Sequence, residues 1–146
     1  MGREQGKAAG LRDLSAFIGT YDVSRSICDQ LTNSESRFEG HAEISRTPEG
    51  AQYCESGVLI LNGQRFQAER SYLWCEDAGR IWVRFADGAA FHDFDPEAGG
   101  RASAHLCGED KYRASYDFSQ WRCWGVRFAV QGPRKDYVSQ TWYVRR

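Results

Sequence analysis

From Gly19 to Arg145 apolar and polar residues alternate with a period of two, and turn residues interrupt the alternation at short intervals. The stretch from Gly57 to Trp74 shows the pattern best. Val58, Leu59, Ile60 and Leu61 lead into Asn62-Gly63. Beyond the turn, Phe66, Ala68, Arg70, Tyr72 and Trp74 share one face, and Gln67, Glu69 and Ser71 share the other. Asn and Gly both tolerate positive φ, so Asn62-Gly63 predicts a type I′ turn between two antiparallel strands. Arg70 is the odd member, a cation on an otherwise apolar face.

The same unit recurs along the chain. Tyr21, Val23, Arg25 and Ile27 line one face of a strand, and Phe38, Gly40, Ala42 and Ile44 one face of the next. Ile81, Val83 and Phe85 follow, then short strands over Ala89 to Phe94 and Ala102 to Cys107. Tyr112, Ala114, Tyr116 and Phe118 share a face, as do Trp124, Val126, Phe128 and Val130. A final strand runs from Asp136 to Arg145. Gly- and Pro-containing turns such as Thr47-Pro48-Glu49-Gly50 and Gly132-Pro133 separate the runs. Helical spacing occurs only before Gly19, where Leu11, Leu14, Phe17 and Ile18 predict a short amphipathic N-terminal helix able to cover one mouth of a barrel.

The pattern therefore predicts an all-β chain, an antiparallel up-and-down β-barrel of about ten strands. An open sheet of that size would expose two edges and an apolar face, and closure removes both problems. A two-sheet sandwich is the rival arrangement. Residues 1–10 are expected to form a flexible tail, and residues 11–146 a single barrel domain.

Composition narrows the function more than it names it. The 20 acidic and 19 basic residues give a net charge of −1, which offers no electrostatic footprint for nucleic acid. Aromatic residues make up 14% of the chain, and without basic interleaving they serve barrel packing rather than base stacking. No apolar run spans a bilayer, so no membrane helix is expected. The five cysteines are irregularly spaced without a CxxC, and the N-terminus is polar. Reduced thiols and a cytoplasmic location are the expectation.

Strand parity places several charges inside the barrel. Arg25, Arg70, Arg145 and Glu55 fall on apolar or aromatic faces. Buried guanidinium groups need carboxylates, tyrosine hydroxyls, water or an anionic ligand, and Glu55 is expected to satisfy one of the three well. Tyr72, Tyr112 and Tyr137 are candidate hydroxyl donors, and Lys135, in the turn Gly132 to Tyr137, can reach over a mouth. Arginine suits an acid because its planar fork meets a carboxylate bidentately. The alternative is an internal Arg-Glu-Tyr network that only fills the lumen.

His105-x-Cys107 puts two side chains on one strand face, with Asp110 across a turn. A bonded histidine and a thiol is the plain reading. A proton-transfer pair, His105 oriented by Asp110, is the catalytic alternative. A metal site would lack ligands, and nothing beyond His92 and His105 themselves points to haem. No metal and no cofactor is expected. Trp82 and Trp142 lie opposite Val83 and Tyr143 and are the candidates for an exposed aromatic patch.

Two features resemble the calycin superfamily, the lipocalins, fatty-acid-binding proteins and their relatives. Gly19-Thr20-Tyr21 after a short helix resembles the lipocalin Gly-x-Trp, with Tyr replacing Trp, and Arg145 stands where calycins place an arginine over that ring. A second resemblance covers nearly the whole chain, through Tyr53-x-Glu55-x-Gly57, Arg70-x-Tyr72, Phe91-His92, His105-x-Cys107-x-x-Asp110-x-Tyr112 and Gly132-Pro133-x-Lys135-x-Tyr137. It is to a family of small, mostly bacterial domains of unassigned function, and it implies a lipocalin-like barrel.

Together these readings lead to a binding protein for a small, partly apolar ligand with an acidic group, acting as a monomer or homodimer. Arg25, Glu55, Arg70, Tyr72, His105, Tyr112, Lys135, Tyr137 and Arg145 are its candidate ligand-binding residues. A small barrel isomerase, cyclase or hydrolase using His105 and Asp110 is the second reading, with Arg70 or Lys135 stabilising an anionic intermediate. A packed barrel that binds a protein partner is the third.

Overall fold

In a computed structural model that describes residues 12–102 and 104–146, the alternation becomes eleven strands. They are β1 (Gly19–Asp29), β2 (Ser34–Thr47), β3 (Gly50–Leu61), β4 (Gln64–Asp77), β5 (Arg80–Phe85), β6 (Ala90–Phe94), β7 (Gly100–Arg101), β8 (His105–Cys107), β9 (Asp110–Asp117), β10 (Trp124–Gly132) and β11 (Lys135–Arg145). The expected tail over 1–10, and Leu11, lie outside the described residues. Among the described residues no helix is long and apolar enough to cross a membrane.

All strands belong to one antiparallel sheet in the order β6-β5-β4-β3-β2-β1-β11-β10-β9-β7, with β8 also on β9. The first and last strands are neighbours, Tyr21 opposite Arg145 and Asp29 opposite Tyr137. The sheet thus wraps into an up-and-down barrel rather than a sandwich. It is nearly closed: among the described residues no ladder joins β6 to β7 or β8. Of the strand expected over Ala102 to Cys107, His105–Cys107 forms as β8, while a separate short piece, β7, ends at Arg101; both pair with β9. Gly100 pairs with Tyr116 and His105 with Tyr112, so the register slips by one residue between them.

Asn62 and Gly63 have φ of 52° and 78°, the I′ turn that the sequence predicts. The turn fixes the register below it, with Leu59 opposite Phe66, Glu55 opposite Arg70 and Tyr53 opposite Tyr72. Gly40 and Gly57 face each other across β2 and β3. A Cβ on either would lie 2.2–2.3 Å from the facing strand's backbone oxygen, and the Phe38 ring fills the space above them. The β4 strand has 14 residues and β5 only six. Their ladder covers Tyr72 to Asp77, so β4 from Gln64 to Ser71 has no partner on that side and the wall is notched there.

The N-terminal helix shrinks to a single 3-10 turn, Leu14–Phe17. Ile18 is already extended and leads into β1, and no side chain caps the turn's backbone N–H groups. This turn still does what the sequence predicts of it: Leu14 and Phe17 are buried and close one barrel end. The Phe17 ring meets Trp74, Phe94, Phe118, Trp121 and Trp124 edge-on, with centroids 5.0–5.9 Å apart. Edge-to-face geometry suits the ring quadrupoles, so the end is packed rather than hollow.

Candidate functional site

The opposite end is open because its inward side chains carry charge. Arg25 projects inward from the middle of β1 and is 7% exposed. Each neighbouring strand supports it. On β11, Thr141 Oγ1 accepts a hydrogen bond from Arg25 Nε at 2.6 Å. On β2, the Phe38 ring lies under the guanidinium, 5.1 Å from its centroid. The two Nη groups reach Glu55 on β3, at 2.7 and 2.9 Å, in a bidentate fork.

Glu55 is the hub. Its Oε2 also accepts from Arg70 Nε at 2.8 Å, and its Oε1 from the Tyr53 hydroxyl at 2.5 Å. Tyr53 in turn shares a 2.7 Å hydrogen bond with Tyr143. Four donors therefore converge on one carboxylate. Burial alone would raise its pKa, but the Arg25 hydrogen bonds, the charges of Arg70 and Arg25 and the Tyr53 hydroxyl outweigh it and hold it at about 2, below the ordinary 4.5. Burial opposes the charge of both arginines, yet Glu55 and the surrounding tyrosine hydroxyls keep them firmly protonated.

The sequence predicts that Glu55 serves one arginine well. It serves two, which leaves one positive charge of the cluster unmatched. That charge is accessible on Arg70. Its side chain is 44% exposed, and neither Nη makes a hydrogen bond among the described residues; only Nε is bonded. The guanidinium opens onto a cavity of about 430 Å³ whose walls include Phe38, Leu59, Tyr72, Phe91, Phe128 and Tyr137. That volume falls in the range of small-molecule sites, which are mostly apolar with a few placed polar groups. Asp29 and Glu69 lie at its edge. Asp29 is occupied by the next turn, accepting from the Leu31 and Thr32 amides.

One wall is flat. The Phe91 ring is nearly parallel to Tyr72, Phe85 and Phe128, at 25°, 24° and 6°, with centroids 4.5–5.6 Å apart. Phe91 points inward because of a bulge. Val83 pairs with His92 and Arg84 with Ala90, so Phe91 is the extra residue and turns inward beside His92.

The other expected site residues divide. Tyr72, Tyr112 and Tyr137 line the cavity with Arg25, Glu55 and Arg70. Lys135 stands beside it, donating to the Tyr112 hydroxyl at 3.0 Å and pairing with Asp110 at 3.4 Å. The Tyr112 hydrogen bond, then Asp110, raise its pKa despite slight desolvation. Asp110 thus turns to Lys135 and makes no hydrogen bond to His105. Its register partner is Cys107, on the strand that carries His105. His105 lines side openings instead of the main cavity.

Arg145 is the clear correction. Its guanidinium lies at the closed end, where it donates to the carbonyls of Ile18 and Ala16 and to the Tyr21 hydroxyl at 2.5–2.8 Å. It also lies over the Tyr21 ring, 5.0 Å from the centroid. Register puts it opposite Tyr21, at the end of β11 farthest from the cavity. His92 is buried, 2.7 Å from the Tyr116 hydroxyl, and burial pushes its pKa down to about 3. Trp82 remains 38% exposed, and Trp142 is half-buried against Gly125. Among the described residues no three His, Cys, Asp or Glu side chains lie close enough to hold a metal ion.

Several contributors escape the sequence reading, among them Thr141, which steers Arg25, and the walls Phe38, Leu59, Phe91 and Phe128. Parity marks Phe128 as inward through Trp124 and Val126. Nothing in the alternation marks Phe91, since the bulge that turns it inward breaks the period.

Comparison with known proteins supports the fold. Residues 17–145 match the sequence profile of a family of unknown function, DUF6314. No curated protein matches the chain. Among solved structures, the S-type phycobiliprotein lyase CPES from Guillardia theta superimposes with a TM-score of 0.65, covering 96% of both chains at 10% identity. At that identity the likeness is one of architecture, the calycin-like barrel.

Proposed function

The chain belongs to the DUF6314 family, and from the chemistry of its cavity we propose that it binds a small molecule with an apolar body and an acidic group. One observation carries this reading: Arg70 uses Nε to hold Glu55, keeps both Nη groups without a hydrogen bond among the described residues, and lines a cavity walled by aromatic rings. A guanidinium held from behind is pre-positioned, so little rotamer entropy is lost when an anion arrives. The carboxylate of the ligand lies across the Nη pair, and its body packs between Phe38 and the flat wall of Tyr72, Phe91 and Phe128. Tyr137 and Tyr112 stand at the edge, where their hydroxyls can reach the polar end of the ligand. The fold neighbour, named as a phycobiliprotein lyase, shares the barrel architecture in which this cavity lies.

The test compares 1-naphthaleneacetate with its neutral amide by calorimetric titration. The protein is expected to bind the acid about tenfold or more tightly than the amide, the worth of a charge-assisted hydrogen-bonded pair. In Arg70→Leu that preference disappears. Equal affinity for acid and amide, or an unchanged preference in Arg70→Leu, removes Arg70 from this role.

A further inference from the structure

The barrel wall is incomplete beside Arg70. From Gln64 to Ser71, β4 has no partner on the β5 side, and among the described residues no ladder joins β6 to β8. The β5–β6 hairpin pairs with β4 only from Tyr72 onward, and on its other side Phe91 of β6 meets His105 of β8, ring centroids 6.1 Å apart. Beside it lies an open groove of about 800 Å³, lined by Arg70, Tyr72, Phe85, Ala89, Ala90 and Leu106 and also by Asp87, His105 and Cys107. Arg70, Tyr72 and Phe85 also line the main cavity, so the two spaces adjoin at these three side chains. The groove's outer wall is unusually greasy for a surface: Leu106 is 68% exposed.

We propose that this notch is part of the binding site and that the ligand is an elongated acid, longer than the cavity. Its acidic group sits on Arg70, and its apolar body leaves the barrel sideways between the β5–β6 hairpin and β8. The inference rests on the acid-binding reading above. It adds the length of the ligand and the route by which it is threaded. The shared side chains argue for one occupant: a body that starts at Arg70 has aromatic rings beside it in the cavity and Phe85, Ala89, Ala90 and Leu106 beside it in the groove. A short acid would leave Leu106, Ala89 and Ala90 in water. A long one covers them.

A series of straight-chain acids from decanoate to octadecanoate, titrated against the full chain, supplies the test. Affinity is expected to keep rising through the series by about twofold per methylene, since each added carbon is covered on one side by the groove. Leu106→Asp and Ala90→Trp change exposed positions outside the main cavity, the first making the groove polar and the second filling it. Both are expected to weaken octadecanoate about tenfold or more and to leave decanoate unchanged. Arg70→Leu weakens every length. A plateau partway along the series, or groove variants that affect all lengths equally or none, overturns the lateral route while leaving the cavity reading intact. Indifference of every chain length to Arg70→Leu overturns the reading beneath it.

Discussion

Both ends of this barrel carry an inward arginine, and the two are used in opposite ways. At the closed end Arg145 spends both Nη groups on backbone carbonyls and on Tyr21. It ties the 3-10 turn to the last strand beneath a layer of interlocked rings. At the open end Arg70 spends only Nε, on Glu55, and faces a cavity. The same side chain is a fastening in one place and a receptor in the other. What decides between them is the supply of acceptors. A helical turn folded into the barrel offers Arg145 free carbonyls. The single carboxylate of Glu55 is already shared with Arg25 when Arg70 reaches it.

The contrast can be broken first through stability. Glu55→Gln keeps the shape of the hub but strips the charge that two arginines share. It is expected to cost about 3–5 kcal/mol in urea unfolding, because Arg25 stays buried without a counter-charge. Phe17→Ala opens the packed end and is expected to cost about 3–5 kcal/mol by the same measurement, through lost burial and the cavity left behind. It should leave the acid preference of the open end in place, since Phe17 touches none of the cavity's walls. If Phe17→Ala instead abolished acid binding, the two ends would not be separable.

A smaller effect separates the arginines themselves. Arg145→Leu orphans the carbonyls of Ala16 and Ile18 and is expected to destabilise by about 1–3 kcal/mol with binding intact. Arg70→Leu should change stability by less than about 1 kcal/mol, as for a partly exposed ion pair, while losing the preference for the acid. Unfolding curves and titrations on the two variants give four numbers, and the account requires them to cross.

A loss comparable to the first two is expected in the pH dependence. His92 has a folded pKa of about 3 against an ordinary 6.5. The unfolded chain therefore binds the extra proton first, and stability declines as pH falls from 6.5 towards 3. Glu55, at about 2 against 4.5, adds its own loss as pH falls from 4.5 towards 2, having contributed fully above that. Urea midpoints measured between pH 7 and pH 3 should decline below pH 6.5 and decline more steeply below 4.5. His92→Phe should flatten the upper part, and Glu55→Gln the lower.

Much of this was legible in the sequence, and the reason is parity. Asn62-Gly63 fixes one register, and from it the alternation of Phe66 to Trp74 assigns Arg70 to the interior. The same logic places Arg25, Glu55 and the tyrosines. Parity says which face a residue takes and nothing about height along the barrel axis. Parity therefore groups Arg145 with Arg25 and Arg70, although its partner Tyr21 puts it at the far end. Height follows from the stagger between strands, which long-range pairing sets. Breaks in the period hide information as well. The bulge at Phe91 and the register slip between β7 and β8 were invisible, and they shape the flat wall and the notch. Sequence nearness misled at Asp110, whose carboxylate crosses to Lys135 on β11 rather than to His105 nearby.

The most direct measurement is a crystal structure of the protein with 1-naphthaleneacetate bound. The account expects the carboxylate within hydrogen-bonding distance of Arg70 Nη1 and Nη2, with Nε still on Glu55 and the rings between Phe38 and Phe128. A carboxylate seated on Lys135 or outside the barrel, with the Nη groups of Arg70 turned onto protein acceptors, would contradict it.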